Sequence, residues 1–224
     1  MRPIKRNRNL TIINARPEHA AMLGELSVQV WCGDDDPTPD TFQAEHFAAH
    51  LRRFPQGQFI ALLNGQAVGY AVTMRTARSP YTNPLPWMDA IGDMTLRNHH
   101  PQGEWLYGVD FLVHPEFRKR GIGTKLYRAR FDLVKRLNLR GFYAGGMLAG
   151  YHKFQKKMSV TEYANAVRAG QIKDPTVSMQ LNRGFRPQSV IKNYSDDPHP
   201  YDSAMLIIWD NPRFGRSRRL VGQA

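Results

Sequence analysis

Val113-His-Pro-Glu-Phe-Arg-Lys-Arg-Gly-Ile-Gly-Thr-Lys-Leu126 is the stretch on which the fold turns. An apolar run stops at Pro115, a short basic loop follows, and a helix begins inside a Gly-x-Gly. The first N–H groups of any helix lack internal partners, and the macrodipole places partial positive charge there. Gly121 and Gly123 let the backbone approach an anion with no Cβ in the way. Arg118, Lys119 and Arg120 add charge and Thr124 a hydroxyl, so the segment 118–124, Ile122 included, reads as a diphosphate cradle. The plainer alternative is a tight turn ahead of a basic, solvated helix. A Walker A loop needs Gly-Lys-Ser/Thr, and Gly123-Thr124-Lys125 has the wrong order. A Rossmann fingerprint needs a third glycine and a later acid, and neither is present.

On the N-terminal side, Trp105–Val113 (WLYGVDFLV) is apolar on both alternating faces apart from Asp110, which suits a central strand covered on both sides. Two apolar runs, 59–63 and 67–73, surround Asn64-Gly65, a dipeptide that accepts positive φ at both positions and predicts a type I′ hairpin. Upstream, 10–14 reads as a strand. Met22, Leu23, Leu26 and Val30 recur at helical spacing, and a second helix is expected through Phe42, Phe47, Leu51 and Phe54. Residues 76–103 read as a long, partly helical loop. On the C-terminal side the helix from Gly121 to about Asn138 carries Ile122, Leu126, Ala129, Leu133 and Leu137 on one stripe, with the basic residues assigned elsewhere. A strand at 141–148 follows. Ser159 and Glu162 stand in capping-box positions for a helix over 161–169, and Asp174-Pro175 opens another ending at Gly184. Strands at 185–192 and 204–209 close the chain. The fold class is therefore α/β of the mixed kind, with a crossover helix after the central strand.

Composition narrows the function. The 224 residues are 42% hydrophobic, enough for one packed domain. Cys32 is the single cysteine, which forbids an intrachain disulfide and points to a reducing, cytoplasmic setting. The longest uncharged stretch, 54–74, contains Pro55, Gln56, Gln58, Asn64 and Gln66, so no spanning helix is expected, and the basic start has no apolar region after it to suggest a secretory signal. The net charge is +12, but it is concentrated. Arg2, Lys5, Arg6 and Arg8 stand in a basic arm over 1–8 without an acid, and Arg213, Arg216, Arg218 and Arg219 do the same in a tail over 212–224. Residues 118–140 hold nine Lys/Arg against Asp132 alone, whereas 9–117 hold six arginines and twelve acids. A polyanion-binding face would spread its charge, so nucleic acid is a disfavoured partner.

Arg118-x-x-Gly121-x-Gly123, behind Val113-x-Pro115 and ahead of an amphipathic helix, resembles motif A of the GNAT superfamily of N-acetyltransferases. Val68-Gly-Tyr-Ala-Val resembles the strand preceding that motif, and Asn182-Arg-Gly-Phe185 the turn after the family's last helix. The stretch from Tyr151 to Phe185 also looks like the GNAT domains that precede nitrilase-like hydrolases in some bacterial proteins. The resemblance implies a mixed, mostly antiparallel sheet of six to seven strands flanked by helices on both faces. It places the domain at 9–211, with 150–173 an insert that covers the acceptor pocket or forms a homodimer contact. It implies acetyl-CoA as cosubstrate, with Phe111, Leu112 and Val113 pairing the pantetheine arm and backbone N–H groups of 118–124 holding the pyrophosphate. An N–H near Leu112 or Val113 would stabilise the oxyanion. The reaction would be direct attack of an amine, from a small molecule or a protein, on the thioester.

Asp110, the lone charge in its strand, is the expected base, since a buried carboxylate without full solvation holds its proton more tightly. The alternative is an ion pair with an arginine or a role in ordering the long loop. Many members of the resembled family carry a protonating tyrosine where this chain has Gln180, so Tyr151 and Tyr143 are the candidate replacements, with packing as the competing role. His46 and His50 are spaced for zinc but lack the glutamate of a metalloprotease motif, so no metal is assigned. Cys32 reads as a core thiol, and Asp34-Asp35-Asp36 as a solvated acid cluster or as attraction for a cationic amine. The rivals to an acyltransferase are a basic nucleic-acid or ribosome-associated module, and a CoA-binding GNAT fold without catalysis.

Overall fold

The computed structural model describes residues 9–33, 35, 37–38, 40–195 and 202–215. The arm over 1–8, the tail from 216 onward, Asp34 and Asp36 lie outside the described residues. The elements run β1 (Leu10–Asn14), α1 (Ala20–Trp31), α2 (Ala44–Arg53), β2 (Gln58–Leu63), β3 (Gln66–Thr76), α3 (Trp87–Ile91), β4 (Trp105–Val113), α4 (Ile122–Arg136), β5 (Gly141–Met147), α5 (Val160–Arg168), α6 (Val177–Leu181), β6 (Arg186–Ile191) and β7 (Ala204–Asp210). All the strands join one seven-stranded sheet in the order β1-β2-β3-β4-β5-β7-β6. Only β4 and β5 pair in parallel. Helix α4 crosses over between them, as a parallel pair requires.

Local chemistry explains most boundaries. Asn64 and Gly65 take φ of 52° and 83°, the two left-handed positions of a type I′ turn between β2 and β3. Ser159 and Glu162 cap α5 reciprocally. Asp174 opens α6, its Oδ1 accepting from the Thr176 and Val177 N–H groups, both at 2.8 Å. Its Oδ2 accepts from the Gly150 N–H and the Tyr163 hydroxyl, each at 2.9 Å, which ties the start and the helix of the segment 150–173 to the start of α6. That helix spans only five residues, Val177–Leu181, and a turn carries the chain on to Gly184 with φ of 90°. Helix α2 is likewise shorter than the apolar spacing suggests, since Phe42 precedes its Gln43 cap and Pro55 follows Phe54. Pro187 is tolerated in β6 because that strand is an edge.

Two apolar clusters lie on opposite faces of the sheet. On one, α1, α2 and α3 cover Ile60, Tyr70, Val72 and Met74 with Leu23, Phe42, Phe47 and Ile91. On the other, α4, α5 and α6 cover Ala71, Leu106 and Phe142 with Ile122, Leu126, Leu133, Tyr163 and Val177. Each fully buried aliphatic side chain contributes about 1.5–3 kcal/mol. One residue of α4 breaks the expected pattern. Arg130, assigned from the sequence to the solvated face, is only 2% exposed and points into the core.

The register of β4 shapes the centre of the sheet. It pairs with β5 only from Trp105↔Gly141 to Gly108↔Ala144, while β5 stays paired with β7 as far as Met147↔Ala204. Beyond Gly108, β4 and β5 therefore part and leave an opening. At the same level β4 bulges: Val72 faces Asp110 but Thr73 faces Gly108, so Val109 is the extra residue. The Trp87 indole N–H holds the bulge by donating to the Val109 carbonyl at 2.9 Å.

Candidate functional site

The bulge and the divergence together build a free strand edge. The His114 N–H donates to the Val68 carbonyl, and antiparallel pairs alternate between bonded and unbonded, so Leu112 bonds Tyr70 and Asp110 bonds Val72. The backbone groups of Phe111 and Val113 then point the other way, into the opening. The three residues expected to line the cofactor arm thus divide into two on the edge and one, Leu112, turned toward β3. The Phe111 N–H donates to Asp110 Oδ1 at 2.7 Å, and the Val113 carbonyl accepts from Arg118 Nε at 3.1 Å.

Arg118 thereby joins the edge to the cradle. After a short helical turn over Pro115–Phe117, Lys119 takes φ of 61° and Gly121 of 80°, two left-handed residues that fold the loop back onto the start of α4. The side chains of Arg118, Lys119 and Arg120 are exposed, and Arg120 lies over the Phe117 ring. Ile122 is anchored in the core at 1% exposure while its N–H, with those of Gly123 and Thr124, opens the helix without an i−4 partner. A Cβ built on Gly121 would meet nothing within 4 Å, so this glycine answers to the backbone angle and leaves room beside the amides. The expected loop residues are brought together here, and amides, cations and open space suit a diphosphate.

The bulge puts Asp110 on the α1 face, with Val109 and Leu112, and Phe111 and Val113 on the α4 face. The Tyr70 hydroxyl donates to Asp110 Oδ2 at 2.5 Å, with Ser27 Oγ at 3.2 Å and the Trp31 indole N–H at 3.4 Å from the same phenol oxygen. Burial raises the Asp110 carboxyl above the usual carboxylate range, while hydrogen bonds from Tyr70 and the Phe111 amide, and the charge of Arg130, pull the other way. Burial, and then the neighbouring carboxylate, push the Tyr70 phenol well above its ordinary value.

On the α4 face Gln180, noted from sequence as standing in place of a tyrosine, is joined by groups that were not singled out. Gln180 is buried and its Nε2 donates to the Tyr127 hydroxyl at 3.1 Å. Arg130 lies over three rings, 4.0 Å from the centroid of Tyr127, 4.6 Å from Phe111 and 4.9 Å from Phe142. Its Nε and Nη2 have no hydrogen-bond partner among the described residues. Arg183 donates to Thr124 Oγ1 at 3.0 Å and to the Met179 carbonyl at 2.7 Å, with its guanidinium 5.1 Å from the Tyr127 centroid. A signal for Arg130 was present: a charge in the middle of the stripe formed by Ile122, Leu126 and Leu133. Arg183 sat inside the Asn182-Arg-Gly-Phe185 turn.

The two replacement tyrosines point elsewhere. Tyr151 donates to the Met158 carbonyl at 3.2 Å and packs on Tyr163, inside its own segment. Tyr143 donates to the Arg78 carbonyl at 3.2 Å, and burial raises its phenol to about 12. The histidine pair divides: His46 Nδ1 accepts from the Gln43 N–H, while His50 Nε2 meets the Met94 carbonyl at 2.7 Å. No group of three or more His, Cys, Asp or Glu suited to a metal occurs among the described residues. Cys32 is half-buried rather than a core thiol, its Sγ 3.3 Å from Thr41 Oγ1. No helix of the described residues is long and apolar enough to cross a membrane.

Comparison with known proteins bears on the family and the fold. The sequence model described as "Acetyltransferase (GNAT) family" matches residues 25–150. The Bacillus subtilis (strain 168) protein named "Uncharacterized N-acetyltransferase YkwB" is 31% identical over 167 residues, covering 75% of this chain and 74% of its own length. "Probable hydrolase YhcX" of the same strain is 37% identical over 176 residues, covering 78% of this chain but only 34% of that protein, so the chain spans about a third of it. Among solved structures, the GphF GNAT-like decarboxylase in complex with isobutyryl-CoA matches 90% of this chain and 99% of its own, with a TM-score of 0.76 at 21% identity. YncA of Salmonella typhimurium, a structure with its cofactor acetyl-CoA, matches 93% and 97% with a TM-score of 0.57 at 14% identity. At such identities the structures speak for the fold alone. With the family model covering more than half the sequence, this chain belongs to the GNAT acetyltransferase family.

Proposed function

We propose that the chain is an N-acetyltransferase that passes an acetyl group from acetyl-CoA to a primary amine by direct attack in a ternary complex. The observation that carries the reading is the continuity of cradle and edge: the amides of 118–124 stand at the mouth of the opening whose side is the free edge at Phe111 and Val113. A diphosphate sits at the start of α4, its charge met by the helix N-terminus and by Arg118, Lys119 and Arg120. The backbone groups of Phe111 and Val113 orient the arm that follows. When bound, acetyl-CoA supplies the activated acyl group.

Asp110 is the base. An amine attacks only when neutral, and a hydrogen-bonded carboxylate beside the opening removes its proton. Tyr70 orients that carboxylate. Of the N–H groups expected to stabilise the oxyanion, that of Val113 points into the opening and serves this role, whereas Leu112 is turned toward β3. Tyr151 is left to packing, since its hydroxyl is committed within its own segment.

The test is a thermal-shift titration with acetyl-CoA, CoA and bulkier acyl-CoAs, followed by free-thiol release against a panel of amines. At a hundredfold excess over Kd, acetyl-CoA should add about 2.7 kcal/mol of stability. An unmoved melting temperature would overturn the reading. Acetyl-CoA binding without thiol release for any amine would reduce the chain to a binding fold.

A further inference from the structure

β4 and β5 stop pairing at Gly108↔Ala144, although both strands run on, to Val113 and Met147. The next residues of β5 are Gly145 and Gly146, and each has another residue's side chain lying where its own would be. A Cβ on Gly145 would meet the ring of Tyr194, with the phenol oxygen at 2.6 Å, and one on Gly146 would meet Gln180 Oε1. Only glycine admits neighbours so close to its backbone. Tyr194 stands on the α1 face, and Gln180 on the α4 face against Tyr127. Tyr194 belongs to the connection between β6 and β7, and its backbone is held on both sides. Its N–H donates to the Asp202 carbonyl, and its own carbonyl accepts from the Trp87 N–H at 2.6 Å. The side chain is buried, and its hydroxyl shares a hydrogen bond of 2.9 Å with the Tyr107 hydroxyl. The phenol therefore touches β4 through Tyr107 and β5 through Gly145, one residue beyond the last pair. Trp87 joins the same assembly to the bulge, since its indole holds the Val109 carbonyl.

We propose that Tyr194 is a positioning residue whose ring acts as a strut, keeping β5 off β4 and so holding open the cleft that acetyl-CoA enters. The proposal rests on the acyl-CoA reading for the guest, whereas the strut is read from the strands alone. Continued pairing would set Val109 beside Gly145 on the α1 face, in the space the ring takes. A ladder extended in that way would also consume the backbone groups of Phe111 and Val113, which are the free edge. Both features the site needs, an unpaired edge and room beside it, thus depend on one buried ring from a distant connection. Gln180 supports β5 from the other face, resting on Gly146 while its amide donates to the Tyr127 hydroxyl. No proton leaves Tyr194 in this role. Its hydroxyl is shared with Tyr107, and burial raises it to about 12.

The experiment compares the full chain with Tyr194→Ala, Tyr194→Leu and Tyr194→Phe, by amide hydrogen exchange without ligand and by calorimetry with acetyl-CoA. Without the ring the two strands should close on each other. Exchange in 109–113 and 145–147 should then slow about tenfold in Tyr194→Ala, even though its melting temperature falls, because edge amides become paired. Acetyl-CoA should bind at least about tenfold more weakly. Tyr194→Leu keeps apolar packing but loses the reach to Gly145, and it gives the same result where the alanine variant is unfolded. Tyr194→Phe keeps the ring and should hold wild-type exchange, with affinity within about threefold of wild type. A side chain that merely packs would give the opposite sign, with faster exchange in both segments in step with the lost stability. That outcome, or wild-type acetyl-CoA affinity in a folded truncation, overturns the strut. A wild-type chain that binds no acetyl-CoA sinks the acyl-CoA reading instead, and the exchange comparison still judges the strut.

Discussion

Asp110 and Arg130 stand on opposite faces of the same opening, and the fold keeps their charges in different ways. Asp110 receives hydrogen bonds from a phenol and an amide. Arg130 receives three ring faces, and two of its nitrogens go without a partner. A carboxylate held by donors can accept a proton and give it back. A caged guanidinium cannot trade a proton, and its stabilisation rises only when negative charge appears beside it. The α1 face therefore holds its charge with hydrogen bonds and the α4 face with ring faces.

The most forceful way to break this contrast is Asp110→Asn. It should cut kcat by about 10²–10⁴ and leave acetyl-CoA affinity by thermal shift unchanged. Equal turnover of variant and wild type between about pH 6 and 9 would remove the carboxylate from the chemistry. Acid provides the next test. Burial holds the His50 imidazole at about 4, below its ordinary 6.5, so between those values the folded chain binds fewer protons than the unfolded one. Stability should fall as pH drops through that window, by up to ~3 kcal/mol, with amide exchange rising first in α1 and α2 and later in α4. Uniform loosening of both faces would contradict the contrast.

Two smaller effects sharpen it. Gly121→Val forces a branched side chain into a left-handed angle, at a folding cost of about 1–2 kcal/mol, with open space around the new atoms. Acetyl-CoA should bind about tenfold or more weakly by calorimetry while the far-ultraviolet spectrum is kept. Unchanged affinity would detach the cradle from the cofactor. Tyr70→Phe should cost about 1 kcal/mol and shift the rising limb of the pH–rate profile upward, because it removes a donor that lowers the Asp110 carboxyl. An unmoved limb would mean that Tyr70 only packs.

The two faces also differ in how legible they were. The cradle was readable because its parts are contiguous: Pro115, the basic triplet, Gly121 and Gly123 state a strand end, a charge and a turn in one short run. The I′ turn at Asn64-Gly65 and the crossover through α4 followed from local chemistry in the same way. The cluster on the α4 face draws Tyr127 and Arg130 from one helix and Gln180 and Arg183 from another region some fifty residues later, and periodicity carries no information about such a meeting. Arg130 was misplaced because arginine on a basic helix is nearly always solvated. Tyr70 was passed over because an apolar strand with a tyrosine reads as packing until the partner carboxylate is located. The bulge at Val109 went unread, although Gly108 just before it is the kind of lone strand glycine that marks one.

That bulge has a consequence for sidedness. Side chains along a strand obey an odd–even rule, and one inserted residue reverses the parity of everything upstream relative to everything downstream. Trp105, Tyr107 and Val109 reach the α1 side as odd positions, whereas Leu112 reaches it as an even one. Had strict alternation run on from Trp105, Asp110 would have fallen beside Gly108, on the bank where Arg130 stands. Acid and cation would then neutralise one another as a buried couple. A single surplus residue thus keeps two complementary charges on opposite sides of one sheet.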